Sequence, residues 1–140
     1  IIDFGERLKS VLTSFMFSDV SSDEVNFFTI NQWFDETFFN ENAMQNLHFP
    51  SINLKNLQKF NNKFMSTYNE KPNKVSILAY DALGLIYYCW VNNNFQFKKE
   101  HLFSKEGFKG QHGEFFIENN IAKQKLAIYK ISNKKFVKVF

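Results

Sequence analysis

The sequence predicts a layered, Rossmann-like α/β domain with a mainly parallel sheet, closing with short antiparallel strands. Three observations predict it. Helical apolar periods at 8–16 and 54–68 and a long apolar stretch at 75–91 alternate with short apolar runs at 25–30 and 47–50, the pattern of strands joined through helices. At 140 residues the chain fits one domain, and 44% hydrophobic residues can supply its core. Towards the end, Asn119-Asn120 and Asn133-Lys134 separate short apolar runs, which reads as antiparallel hairpins.

The elements follow in order. Asp3 reads as a helix cap with Glu6 reaching back. Leu8, Val11, Leu12, Phe15 and Met16 then form one apolar helix face. After a polar loop at 18–23, residues 25–30 read as a strand buried on both faces. With Ile1 and Ile2 as the end of a preceding strand, these elements suit a parallel βαβ unit. A loop at 31–42 holds Trp33, Phe34, Phe38 and Phe39 among Asp35, Glu36 and Glu41. Residues 47–50 form a third short strand. Asn53 caps a helix through Leu54, Leu57, Phe60, Phe64, Met65 and Tyr68. Residues 69–73, with Pro72, break it.

The stretch 75–91 is the most apolar of the chain. It sits at the lower length limit of a membrane span, roughly 17 residues. Ser76, Asp81 and Gly84 interrupt it, and a carboxylate in lipid is costly. It therefore reads as a helix buried among other elements, with Cys89 as a small core residue. Residues 98–103 form a short helix, and Gly107, Gly110 and Gly113 mark turns. Residues 114–117 form a strand, 126–131 its return strand and 136–139 the last, so the tail is a meander.

Composition excludes several functions. Seventeen basic residues against fourteen acidic ones leave +3, which is no polybasic footprint for nucleic acid. A single cysteine excludes an internal disulfide framework and a Cys-rich zinc site. Phe occurs nineteen times and all but one basic residue is lysine. These residue types share AT-rich codons with Asn and Ile, and a low-GC genome is the plainest account.

No catalytic constellation is visible. His48, His101 and His112 share no metal spacing and read as exposed or singly bonded. Cys89 on an apolar helix has neither a base nor exposure in its favour. No serine stands in a Gly-x-Ser-x-Gly setting. Gly107-x-x-Gly110-x-x-Gly113 matches neither a dinucleotide fingerprint nor a P-loop. The expectation is a non-enzyme without metal or cofactor. The loop after Ile30 remains. Ligands of open α/β sheets sit beyond the carboxyl ends of strands, where Asn31, Gln32, Trp33 and Asp35 fall. These four are the candidate ligand- or partner-binding residues. The bland alternative is that Trp33 and Phe34 pack beneath the loop.

The spacing Phe60-x-x-x-Phe64-x-x-x-Tyr68-x-x-x-Pro72, followed by Leu78-Ala79-Tyr80-Asp81-Ala82, resembles the C-terminal part of type 1 periplasmic binding proteins. Phe108-Lys109-Gly110-Gln111-His112-Gly113-Glu114-Phe115 resembles the family's glycine-marked hairpin. Leu126 to Ile131 with Lys135-Phe136 is similar to its closing strands. Asp3-Phe4-Gly5-Glu6-Arg7-Leu8 and Gln32-Trp33 resemble one branch, the LppC/LpoA-like penicillin-binding protein activators of alphaproteobacterial type.

The resemblance implies a C-terminal fragment of a two-lobed fold. Residues 1–48 would be part of one α/β lobe, 49–53 an inter-lobe crossing, and 54–140 the helices and closing strands of the other lobe. It implies a periplasmic location and a non-enzymatic activator docking on a peptidoglycan synthase, with an outer-membrane lipid anchor upstream of this chain. The alternative within the resemblance is an ABC-transporter solute receptor for amino acids or similar small polar ligands. A free-standing α/β domain with an unrelated role is the third reading. A fragment with unpaired strand edges and bare apolar faces is expected to self-associate.

Overall fold

The computed structural model describes residues 1–30, 40–73 and 75–140. In chain order the elements are α1 (Gly5–Phe17), β1 (His48–Ser51), α2 (Leu54–Tyr68), α3 (Ser76–Val91), β2 (Phe108–Lys109), β3 (Glu114–Glu118), β4 (Ile121–Gln124), β5 (Ala127–Ser132) and β6 (Lys135–Lys138). Tight 3₁₀ turns lie at Asn42–Met44 and Lys99–Leu102. The chain forms two compact units: Ile1–Ser51 with Ala127–Phe140, and Ile52–Leu126.

In the first unit, α1 buries Leu8 and Leu12, one helical turn apart. Asp3 does not cap it. Phe4 holds the cap position, and the Asp3 carboxylate accepts the Phe4 N–H at 2.9 Å. The helix starts one residue too late for Glu6 to close a capping box. Strands β1, β5 and β6 form an antiparallel sheet in that order. Phe49 lies opposite Tyr129, and Ile131 opposite Phe136. The rings of Phe49, Tyr129 and Phe136 pack together at centroid distances of 6.1, 5.2 and 6.2 Å. With Met44, Leu47 and Ile131 they form the buried side of this sheet.

The expected strand at 25–30 shrinks to one parallel bridge, Phe28 beside His48. Thr29 N–H donates to His48 O, and His48 N–H to Phe27 O, both at 2.9 Å. The next bond of that ladder would need an N–H at residue 50, which is proline. Among the described residues, parallel pairing therefore stops there, and the ladders are antiparallel rather than mainly parallel.

In the second unit, Asn53 caps α2 as its sequence predicts: its Oδ1 accepts the N–H groups of Lys55 (3.0 Å) and Asn56 (3.3 Å). Asn69 ends the helix in the left-handed conformation. Helix α3 buries a single stripe, Ile77, Asp81, Leu85 and Cys89. Tyr80, Leu83, Ile86, Tyr87 and Tyr88 are exposed, so α3 is not the enclosed helix its composition predicts. Apolar character all round requires cover on every face, and the described residues supply it on one. Strands β2, β3 and β4 form the second antiparallel sheet.

Two further expectations are corrected here. The return strand of β3 is Ile121–Gln124, not residues 126–131, because a two-residue turn sends the chain back at once. Asn119 and Asn120 both have positive φ, as that turn demands. Strands β5 and β6 pair with β1, so the tail is two hairpins in two sheets rather than one meander. The closing strands accordingly group with residues 1–51 and not with 54–126, and the chain passes between units at Ser51/Ile52 and Leu126/Ala127.

Candidate functional site

The second unit carries a groove between α2 and α3. Helix α2 places Phe60, Phe64 and Tyr68 on one side at successive turns. Phe60 and Phe64 lie 6.0 Å apart, and Phe64 and Tyr68 4.6 Å apart, centroid to centroid. Tyr80 of α3 meets Phe60 edge-on at 5.7 Å. With Ala79 and Leu83 of α3, these rings line a cavity of about 480 Å³ whose remaining lining includes Lys59, Lys63 and Gln111.

Gln111, part of the groove lining, also belongs to a buried polar bracket. Asp81 is buried on α3. Its Oδ1 accepts the N–H of Gln111 and its Oδ2 the N–H of His112, each at 2.7 Å. A buried carboxylate needs such donors, and two backbone N–H groups from a tight turn supply them without a second charge. Gly110 makes the approach possible: a Cβ there would lie 2.4 Å from the carboxylate. Gly107 meets a similar limit, since its Cβ would lie 2.8 Å from the Phe115 carbonyl oxygen.

His112, expected to be exposed or singly bonded, is buried. The Gln124 side-chain amide donates to its Nδ1, and to its carbonyl oxygen at 3.0 Å. Burial lowers the imidazole pKa below its ordinary 6.5, and the charge of Asp81 opposes this in part. The Cys89 thiol is buried and contacts the His101 carbonyl oxygen at 3.4 Å. Burial pushes its pKa up, which suits a core residue and not a nucleophile. Among the described residues, no group of three His, Cys, Asp or Glu side chains is placed to hold a metal ion. Nor is any described helix long and apolar enough to cross a membrane.

The residues predicted from the strand-end rule, Asn31, Gln32, Trp33 and Asp35, lie outside the described residues. In the sequence Asp81 stands out as a break in an apolar helix and as a member of the Leu78–Ala82 segment that carries the family resemblance. The usable signal was a carboxylate in an apolar period together with Gly110 in a glycine-marked turn, but nothing in their spacing pairs them.

The chain has the mixed α/β fold of type 1 periplasmic solute-binding proteins and is similar to a part of them. A crystal structure from Rhodospirillum rubrum, assigned to a branched-chain amino acid ABC transporter, superposes with a TM-score of 0.74 at 11% identity, over 91% of this chain and 40% of that one. An ABC transporter substrate-binding protein from Desulfitobacterium hafniense gives 0.61 at 16% identity, over 94% and 40%. A second structure from that organism, in complex with Leu, gives 0.59 at 14% identity, over 94% and 39%. The chain thus spans about two fifths of the length of these neighbours. The sequence matches no family model, and a search of curated proteins returns no match.

Proposed function

We propose that the chain is part of a periplasmic solute-binding protein of an ABC transporter, receiving an amino acid or a similar small polar ligand. The likeness to the Rhodospirillum rubrum structure, at a TM-score of 0.74 over 91% of this chain, carries the reading. The Desulfitobacterium hafniense neighbours support it, one of them with Leu bound. These neighbours are solute-binding proteins rather than enzymes, in keeping with a non-enzymatic role. Asn31, Gln32, Trp33 and Asp35 are proposed as ligand-contacting residues. They follow the segment bonded in parallel to β1, the end at which α/β sheets receive ligands.

The resemblance of Asp3 to Leu8 and of Gln32-Trp33 to LppC/LpoA-like activators favours a second reading, docking on a peptidoglycan synthase. The solved neighbours support the transport reading better. Titration calorimetry of the full-length protein with leucine, valine and polar amino acids separates the two. Saturable binding, weakened at least tenfold by Trp33→Ala, is the expected result. Silence across the panel, together with capture of a peptidoglycan synthase that Trp33→Ala abolishes, would overturn the transport reading.

A further inference from the structure

We propose that the groove between α2 and α3 is a second binding site, for an apolar carboxylate: an aromatic or aliphatic chain ending in one carboxyl group and lacking an α-amino group. The floor is preformed. Phe60, Phe64, Tyr68 and Tyr80 brace one another in a run of ring contacts, so the aromatic wall is ordered by its own packing. Its volume, about 480 Å³, lies in the range of roughly 300–1,000 Å³ found for small-molecule sites.

Charge selects the occupant. Lys59 and Lys63 stand one turn apart on α2 and both line the groove. Neither forms an ion pair among the described residues, whereas Lys9 pairs with Glu41, and Lys125 with Glu114 at 3.2 Å. Long lysine stems cover apolar walls while their ammonium heads stay in water, and both lysines are exposed, so the groove carries two cations on its α2 side. Among the described residues, no acidic one lines the groove. Asp81, the carboxylate buried among the described residues, is not part of the groove lining and accepts the N–H groups of Gln111 and His112. An anionic head at Lys59 and Lys63 with an apolar tail over Phe60, Phe64 and Leu83 satisfies both halves of the lining. An α-amino group would bring a third cation beside the two lysines, so amino acids are disfavoured. The site lies wholly within residues 52–126 and is independent of the proposed amino-acid site.

The test uses the full chain and octanoate as probe, followed by amide chemical shifts. Octanoate should bind saturably, with shifts concentrated at Phe60, Phe64, Tyr80 and Gln111, and leucine should not compete. Octylamine should bind at least tenfold more weakly. Lys59→Glu with Lys63→Glu should reverse that preference while leaving the circular dichroism spectrum unchanged. Should the double variant misfold, the salt dependence of octanoate binding to the unaltered chain answers the same question, since screening weakens an exposed ion contact. Equal binding of octanoate and octylamine, shifts spread over the whole chain, or salt-independent binding would each overturn the proposal.

Discussion

Among the described residues, the sheet of the first unit and the sheet of the second have three antiparallel strands each. In the first, β1 pairs with β5 from the far end of the sequence, Ser51 opposite Ala127. What repays that long loop is a buried apolar face, with Phe49, Tyr129 and Ile131 almost without exposure. In the second, β2, β3 and β4 are local in sequence, and β4 is largely exposed. There the turn ahead of β3 is anchored by one buried carboxylate, Asp81, on a helix thirty residues upstream of the N–H of Gln111. Distant strands are joined here by apolar area, and a local hairpin is docked by a single polar bracket.

The largest effect is expected where apolar packing is concentrated. Phe49→Ala removes the ring shared by Tyr129 and Phe136 and should cost about 3–5 kcal/mol. Urea unfolding measures it. A loss below about 1 kcal/mol would mean that the three rings do not form a working core.

The bracket should cost less. Asp81→Ala strips two N–H groups of a charged acceptor, and hydrogen bonds to charged groups contribute about 1.5–3 kcal/mol each. Because the two share one acceptor, a total of about 2–3 kcal/mol is expected. Amide exchange should quicken at Gln111 and His112 and stay slow at Asn46 and Ile131. Gly110→Ala should be harmful alone and nearly harmless on top of Asp81→Ala, since its Cβ collides with the carboxylate itself. Additive losses in that double-mutant cycle would refute the bracket as the anchor.

This contrast also explains what the sequence made legible. Local chemistry was readable: the Asn53 cap, the end of α2 at Asn69 and both hairpin turns stand where their residues predict. Asn46, Asn69, Asn94, Asn119, Asn120 and Asn133 all occupy positive φ, so the high asparagine content serves turns and caps whatever its genomic origin. Pairing at a distance was not readable. Residues 126–131 are apolar enough for a return strand, and no local signal told that they pair with β1 instead of β3. The groove was half visible, since Phe60, Phe64 and Tyr68 form an evident helix face. Its other wall depended on how α3 packs, which periodicity leaves open for a helix apolar all round. The loop from Asn31 to Asp35, read from the strand-end rule, remains a proposal.

The smallest expected effect sharpens the comparison by pH. His112 sits in the second unit with a pKa lowered by burial, so the folded state holds it neutral while the unfolded chain accepts a proton near pH 6.5. Its neutral form therefore supports the fold fully above that pH. This support is lost as pH falls from 6.5 towards the depressed folded value. Protonation at Nδ1 would also set two donors against each other where the Gln124 amide now donates. Between pH 7 and 5, above the usual carboxylate range, amide exchange should quicken at His112 and Gln124 ahead of Asn46 and Ile131 in the first sheet. A His112→Gln variant should flatten that difference. Equal acceleration of both sheets in the unaltered chain would place the acid sensitivity elsewhere and remove His112 from the account of the second hairpin.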